Sequence, residues 1–189
     1  MFIKMPQKSK EKIKETRREI EIPQDVEISV ENNELVARKE GIELKRKFFR
    51  VFLEREENRI VIKTKGTTRK GKKIINTTLA HIKNMFLGLK EKFVYKLQIC
   101  SVHFPMNVSV KNDEIIVKNF LGEGKERKAK ILPSVDVKIE KDMIIVESHG
   151  KEAAGQTAAN IEKTTKVRNK DRRVFQDGIF ITEKCGRKI

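Results

Sequence analysis

Tryptophan is absent from this 189-residue chain, tyrosine occurs once and cysteine twice. With no Trp and one Tyr, stacking on single-stranded bases is a poor general way for it to hold nucleic acid. The two cysteines, Cys100 and Cys185, form no CxxC, so no structural zinc site built from this chain alone is expected. Buried free thiols are the simpler reading. No run approaches the ~20 apolar residues that cross a bilayer, and no basic segment carries a Trp/Phe-rich opposite face, so no membrane partner is expected. The opening Met1-Phe2-Ile3-Lys4-Met5 turns polar at once and lacks the apolar core of a signal peptide, pointing to a cytoplasmic protein in which the sequons at Asn76 and Asn107 carry no glycan. Neither HExxH nor GxSxG occurs, and His81, His103 and His149 share no motif, so no enzyme, cofactor or metal is expected.

What the chain has is charge. Lys and Arg number 43 against 27 Asp and Glu, a formal +16, while hydrophobic residues make up only 38%. Cores are therefore modest. An excess of this size repels itself unless a polyanion neutralises it, and nucleic acid is the natural candidate.

Residues 1–20 are rich in Lys and Arg with few apolar anchors and read as a basic tail. After Pro23 the pattern alternates through Val26, Ile28 and Val30, turns at Asn32-Asn33 and resumes at Leu35 and Ala37, which predicts a hairpin. Apolar runs at Phe48-Phe49-Arg50-Val51-Phe52-Leu53 and Ile60-Val61-Ile62 predict further antiparallel strands. From Ile74 to Leu89 the apolar residues fall at Ile75, Leu79, Ile82, Met85, Phe86 and Leu89, one face of a helix. The second half repeats this order: Asn33-Glu34-Leu35-Val36 is answered by Asp113-Glu114-Ile115-Ile116 at an offset of 80, and Arg59-Ile60-Val61-Ile62 by Met143-Ile144-Ile145-Val146 at 84. The fold class implied is α+β, a tandem duplication of a small antiparallel sheet with one helix packed on a face, in domains spanning residues 21–98 and 99–189.

Gly66-Thr67-Thr68-Arg69-Lys70-Gly71-Lys72-Lys73 nearly spells the phosphate loop GxxxxGK[ST]. Lys73 stands where magnesium needs a hydroxyl, and the parallel sheet is missing. Arg69, Lys70, Lys72 and Lys73 instead suit a loop touching backbone phosphates, or a merely solvated one. His149-Gly150, at a strand-helix junction, is a further candidate RNA contact. Near the C-terminus a basic run leads through a turn at Asp177-Gly178 into Ile179-Phe180-Ile181, with Phe175 and Phe180 read as core anchors on either side.

The duplicated layout, with His103-Phe104-Pro105-Met106-Asn107-Val108, Asn119-Phe120-Leu121-Gly122-Glu123 and Arg173-Val174-Phe175-Gln176-Asp177-Gly178-Ile179-Phe180-Ile181, resembles the family of the sixth protein of the large ribosomal subunit, in its archaeal and eukaryotic form. In that family the last block reads basic-x-x-Arg-x-Phe-x-Asp-Gly-aliphatic-aromatic-aliphatic-x-x-basic, and Lys170 through Lys184 fill it in register. Lys163 departs from it, since the family often has Gln there. The resemblance implies a structural, non-enzymatic protein whose second domain docks on large-subunit ribosomal RNA near the sarcin-ricin loop, beside neighbouring ribosomal proteins and in transient proximity to translational GTPases. It further implies that Lys166, Arg168, Lys170, Arg172, Arg173, Lys184, Arg187 and Lys188 pair with phosphates, that Asp177 and Gly178 shape the turn presenting them, and that Lys125, Arg127, Lys128 and Lys130 on a hairpin add a second anchor. A module for another structured RNA, a DNA-compacting protein and a protein-interaction scaffold are the competing readings.

Overall fold

The computed structural model describes residues 16–64 and 68–189. The chain divides into two compact units, one reaching Lys83 and the other comprising Asn84–Ile189.

In the first unit, β2 (Glu27–Glu31), β3 (Glu34–Lys39) and β4 (Ile42–Lys47) form one antiparallel sheet, while β1 (Thr16–Glu21) and β5 (Phe52–Glu56) flank β6 (Arg59–Thr64) in another. Asn32 and Asn33 link β2 to β3 with φ of 48° and 62°. Two successive positive φ values make a turn whose twist matches the strands, and asparagine adopts them at little cost. The register sets Ile28 opposite Ala37 and Val30 opposite Leu35, so alternate residues enter the core. Asn33 also accepts the Leu53 N–H on its side chain and the Phe48 N–H on its carbonyl, tying the hairpin to the chain that enters β5. Ile60, Val61 and Ile62 of β6 are fully buried.

The helix α1 (Arg69–Lys90) begins earlier than its apolar spacing suggests. Thr68 caps it, accepting the Gly71 N–H on Oγ1 at 3.2 Å and the Lys72 N–H on its carbonyl at 3.1 Å. The expected basic loop is therefore the first helical turn, with Arg69, Lys70, Lys72 and Lys73 exposed along it; Gly66 and Thr67 lie outside the described residues.

The second unit repeats the order with additions. β8 (Asn107–Lys111), β9 (Glu114–Lys118) and β10 (Arg127–Lys130) form a three-stranded sheet. β7 (Phe93–Cys100), β11 (Asp136–Glu140), β12 (Met143–Ser148), β13 (Gly178–Lys184) and β14 (Arg187–Lys188) form a five-stranded sheet in the order β11-β12-β7-β13-β14. The helix α2 (Lys151–Thr164) buries Ala154, Ala158 and Ile161 in a core with Leu97, Ile144, Val146 and Ile179. Small residues bring it close: a Cβ on Gly155 would stand 3.0 Å from the Tyr95 hydroxyl. The pairing of β11, β12 and β7 matches that of β5, β6 and β1, and β10 corresponds to β4. The α+β class and the duplication are as the sequence implies, with two sheets in each unit rather than one.

Several sequence expectations are corrected. Residues 16–20 belong to β1, where Ile20 pairs with Ile60, so the basic tail does not extend to residue 20; residues 1–15 lie outside the described residues. The run 48–53 is not one strand, because Arg50 turns the chain at φ 64° and β5 starts at Phe52. A boundary between residues 98 and 99 would cut β7, which hydrogen-bonds to β12 on one side and β13 on the other and so belongs to the second unit. The cysteines are free but not buried: Cys100 is half-buried and Cys185 exposed.

Candidate nucleic-acid interface

The basic segment between α2 and β13 is held at both ends. At its start, the buried Thr165 donates its hydroxyl to the Glu162 carbonyl and accepts the Ile179 N–H at 2.9 Å. Glu162 accepts the Ile181 N–H, so one side chain of the final helical turn and that of the C-cap residue Thr165 fasten the beginning of β13. At the far end Asp177, only 1% exposed, accepts the backbone N–H groups of Val102 at 2.7 Å and His103 at 3.0 Å on one oxygen. Its other oxygen lies 2.6 Å from Nδ1 of His103. Burial pushes the Asp177 carboxyl up, but the hydrogen bonds from His103 and Val102 outweigh it and hold the group below its ordinary value. An ionised carboxylate only accepts, so Nδ1 of His103 carries the hydrogen. The His103 ring stacks on Phe175 at 4.8 Å between centroids, and Lys170 places its ammonium 4.3 Å from the same ring.

Between these anchors the turn is made by Asp171, not by Asp177 and Gly178 as the sequence suggests. Asp171 accepts the Arg173 N–H on its side chain, and the N–H groups of Val174 and Phe175 on its carbonyl. Asx turns of this kind set local geometry without a core. Gly178 instead begins β13 at φ 156°, a conformation that favours glycine, and a Cβ there would meet the Phe180 ring at 3.0 Å. Lys166, Arg168, Lys170, Arg172 and Arg173 are all exposed along this braced segment. Phe175 is half-buried as part of the anchor, whereas Phe180 is 38% exposed and no core residue, because the strand alternation turns Ile179 inward.

The hairpin of β9 and β10 reaches the same end of α2. Arg127 donates to both oxygens of Glu123 at 2.9 and 2.7 Å and to the Thr164 carbonyl at 2.8 Å, and lies 4.2 Å over Phe120. Hydrogen bonding from Arg127, with the charges of Arg127 and Lys170, holds the Glu123 carboxyl below its usual range. Arg127 is therefore engaged within the protein. Lys128 pairs with Glu114 at 3.4 Å, while Lys125 and Lys130 are exposed with no side-chain partner among the described residues.

The structure thus brings the hairpin cations and the 166–173 cations together at the C-terminal end of α2. Other expected contacts lie elsewhere. His149 stands at the opposite end of this 14-residue helix, roughly 20 Å away, where Nδ1 donates to the Gly88 carbonyl at 2.7 Å. Lys184, Arg187 and Lys188 sit at the far end of β13 and on β14, six residues or roughly 20 Å from Gly178. Arg69 to Lys73 belong to the first unit. Sequence reasoning missed the anchoring roles of Thr165 and Glu162, for which an isolated helix end offers no signal.

Comparison with known proteins settles the family. The chain is 42% identical over 175 residues to the large ribosomal subunit protein uL6 of Methanococcus vannielii, an alignment covering 92% of this chain and 96% of that one. The chain belongs to the ribosomal protein L6 family. A second uL6, from Methanobrevibacter smithii, is 42% identical over 170 residues, covering 89% and 96% of the two chains. The family model for ribosomal protein L6 matches residues 104–178, which run from the β8 approach through the anchor at Asp177. The most basic stretch of the second unit therefore falls inside the L6 signature or directly beside it. Among the described residues no helix is long and apolar enough to cross a membrane.

Proposed function

We propose that this chain is a structural protein of the large ribosomal subunit that binds ribosomal RNA mainly through its second unit. The observation that carries the reading is the braced segment 166–173: a buried carboxylate, a buried threonine and an Asx turn fix its backbone, while its cations stay exposed. Long cationic side chains on a fixed backbone contact phosphates with less ordering entropy than the same charges on a mobile tail. The hairpin cations Lys125 and Lys130 extend this surface, and the segment takes its place near the sarcin-ricin loop and the translational GTPase site, by family resemblance, in the cytoplasmic ribosome. Neighbouring ribosomal proteins are further partners. One observation favours a protein-binding role for the first unit: Phe49 is 74% and Phe52 47% exposed at the bend between β4 and β5.

The test is a salt titration of binding to purified large-subunit ribosomal RNA. Reversing both charges, Arg172→Glu with Arg173→Glu, is expected to weaken affinity at least tenfold and to flatten the dependence of log K on log salt by about one to two units. An unchanged slope would remove the segment from the interface.

A further inference from the structure

Beside the braced segment the second unit holds a cavity of about 710 Å³, walled by the last turn of α2, by Val102 and by the 172–180 stretch. Ligand pockets run from about 300 to 1,000 Å³, so this volume suits a molecule larger than a lone phosphate. Its two linings differ. Val102, Val167, Ile179 and Phe180 supply apolar surface, while Lys163, Lys166 and Arg172 line it as exposed cations whose side chains have no hydrogen bond or ion pair among the described residues. The carboxylates in the wall face structural duties: Glu162 accepts the Ile181 N–H, and Asp177 accepts from Val102 and His103. The unsatisfied charge of the cavity is therefore positive.

A ligand fitting this chemistry carries an anion on a flat apolar body. Phe175 is already engaged by the His103 ring and the Lys170 ammonium, which leaves Phe180 as the aromatic surface. The Phe180 ring lies against Gly178, where a Cβ would stand 3.0 Å from it and press it out of place by a few tenths of an ångström. Unstacked bases of folded RNA are held in this way, base on an aromatic face and phosphate on nearby cations.

We infer that this cavity receives one unstacked nucleotide of the RNA bound by the second unit, its base on Phe180 and its phosphate on Lys166 and Arg172. The inference rests on the RNA-binding reading above. It amends the expectation that stacking contributes little: stacking is confined to one built position.

The test binds the full-length protein to large-subunit ribosomal RNA and probes the complex twice, with hydroxyl radicals for the backbone and with base-specific modifying reagents for unpaired base edges. The unaltered protein is expected to protect an unpaired base. Val102→Trp, which fills the cavity from a position already 66% exposed and leaves every cation in place, is expected to abolish that protection while the backbone footprint persists. Phe180→Ala removes the platform instead of filling the space and is expected to give the same loss, with affinity falling about tenfold, as stacking of one base implies. Base protection that survives both variants overturns the inference and leaves RNA binding intact, the cavity then being free for a side chain of a neighbouring protein. If the unaltered protein leaves no footprint of either kind, the RNA-binding reading fails and the inference falls with it.

Discussion

The imidazole of His103 and the carboxylate of Asp177 meet at 2.6 Å, joining the loop after β7 to the strand that ends the basic segment, 74 residues further along the chain. Asp177 binds three N–H groups at once, so its removal leaves two backbone donors and one ring donor without their partner. Hydrogen bonds to a charged group are worth about 1.5–3 kcal/mol, and orphaned donors add desolvation, so Asp177→Ala is expected to lose roughly 3 kcal/mol in urea unfolding. A loss below about 1 kcal/mol would show that the clasp is not what holds the segment.

The same clasp makes stability depend on pH. The Asp177 carboxyl is held below its ordinary value in the folded protein, so the unfolded chain binds the proton more readily. Its stabilisation is fully present above the unfolded carboxylate value near about 3.9 and is lost as pH falls through the lower folded value. The urea midpoints of wild type and Asp177→Asn are expected to differ at pH 6 and to converge in strong acid. A gap constant with pH would contradict the assignment.

Gly88 shows an opposition of effects. Alanine is better than glycine inside a helix by roughly 1 kcal/mol, yet a Cβ on Gly88 would stand 2.0 Å from the His149 carbonyl oxygen. Backbone does not yield as a side chain does, and the displacement would also strain the His149 bond to the Gly88 carbonyl. Steric exclusion wins, and Gly88→Ala is expected to lower the melting temperature, whereas Gly124→Ala, in open space, leaves it nearly unchanged.

Cations close in space divide by role. Arg127→Gln forfeits a bidentate pair, a carbonyl bond and the contact with Phe120, and is expected to cost about 1–2 kcal/mol of stability with little change in the salt slope of RNA binding. Arg172→Gln is expected to do the reverse, leaving the melting temperature unchanged and reducing the slope by about one unit. Thermal melts paired with salt titrations of the two variants separate these outcomes.

Hairpins β2–β3 and β8–β9 are readable from sequence because alternating aliphatic residues flank Asn32-Asn33 and Asn112-Asp113, so local turn chemistry and the buried face agree. β1 and β4 are not: Thr16-Arg17-Arg18-Glu19 and Lys45-Arg46-Lys47 put charge on both faces, and these strands gain their stability from pairing with β6 and β3. The first turn of α1 hides for the same reason, being all cations and one glycine, and only the Thr68 cap marks it. At the interface the basic segment was visible as composition. Which cations stay exposed was not, since Arg127 is engaged by Glu123 within its own loop and by Thr164 at the end of a helix 37 residues on, a relation only the tertiary fold supplies.

Co-sedimentation of the tagged protein from a cell lysate, with the ribosomal subunits separated at low magnesium and with and without nuclease, tests the central claim most directly. The account predicts that the protein travels with the large subunit and leaves that fraction when nuclease digests the RNA. Protein that stays at the top of the gradient, or that follows other RNA or DNA, would contradict it.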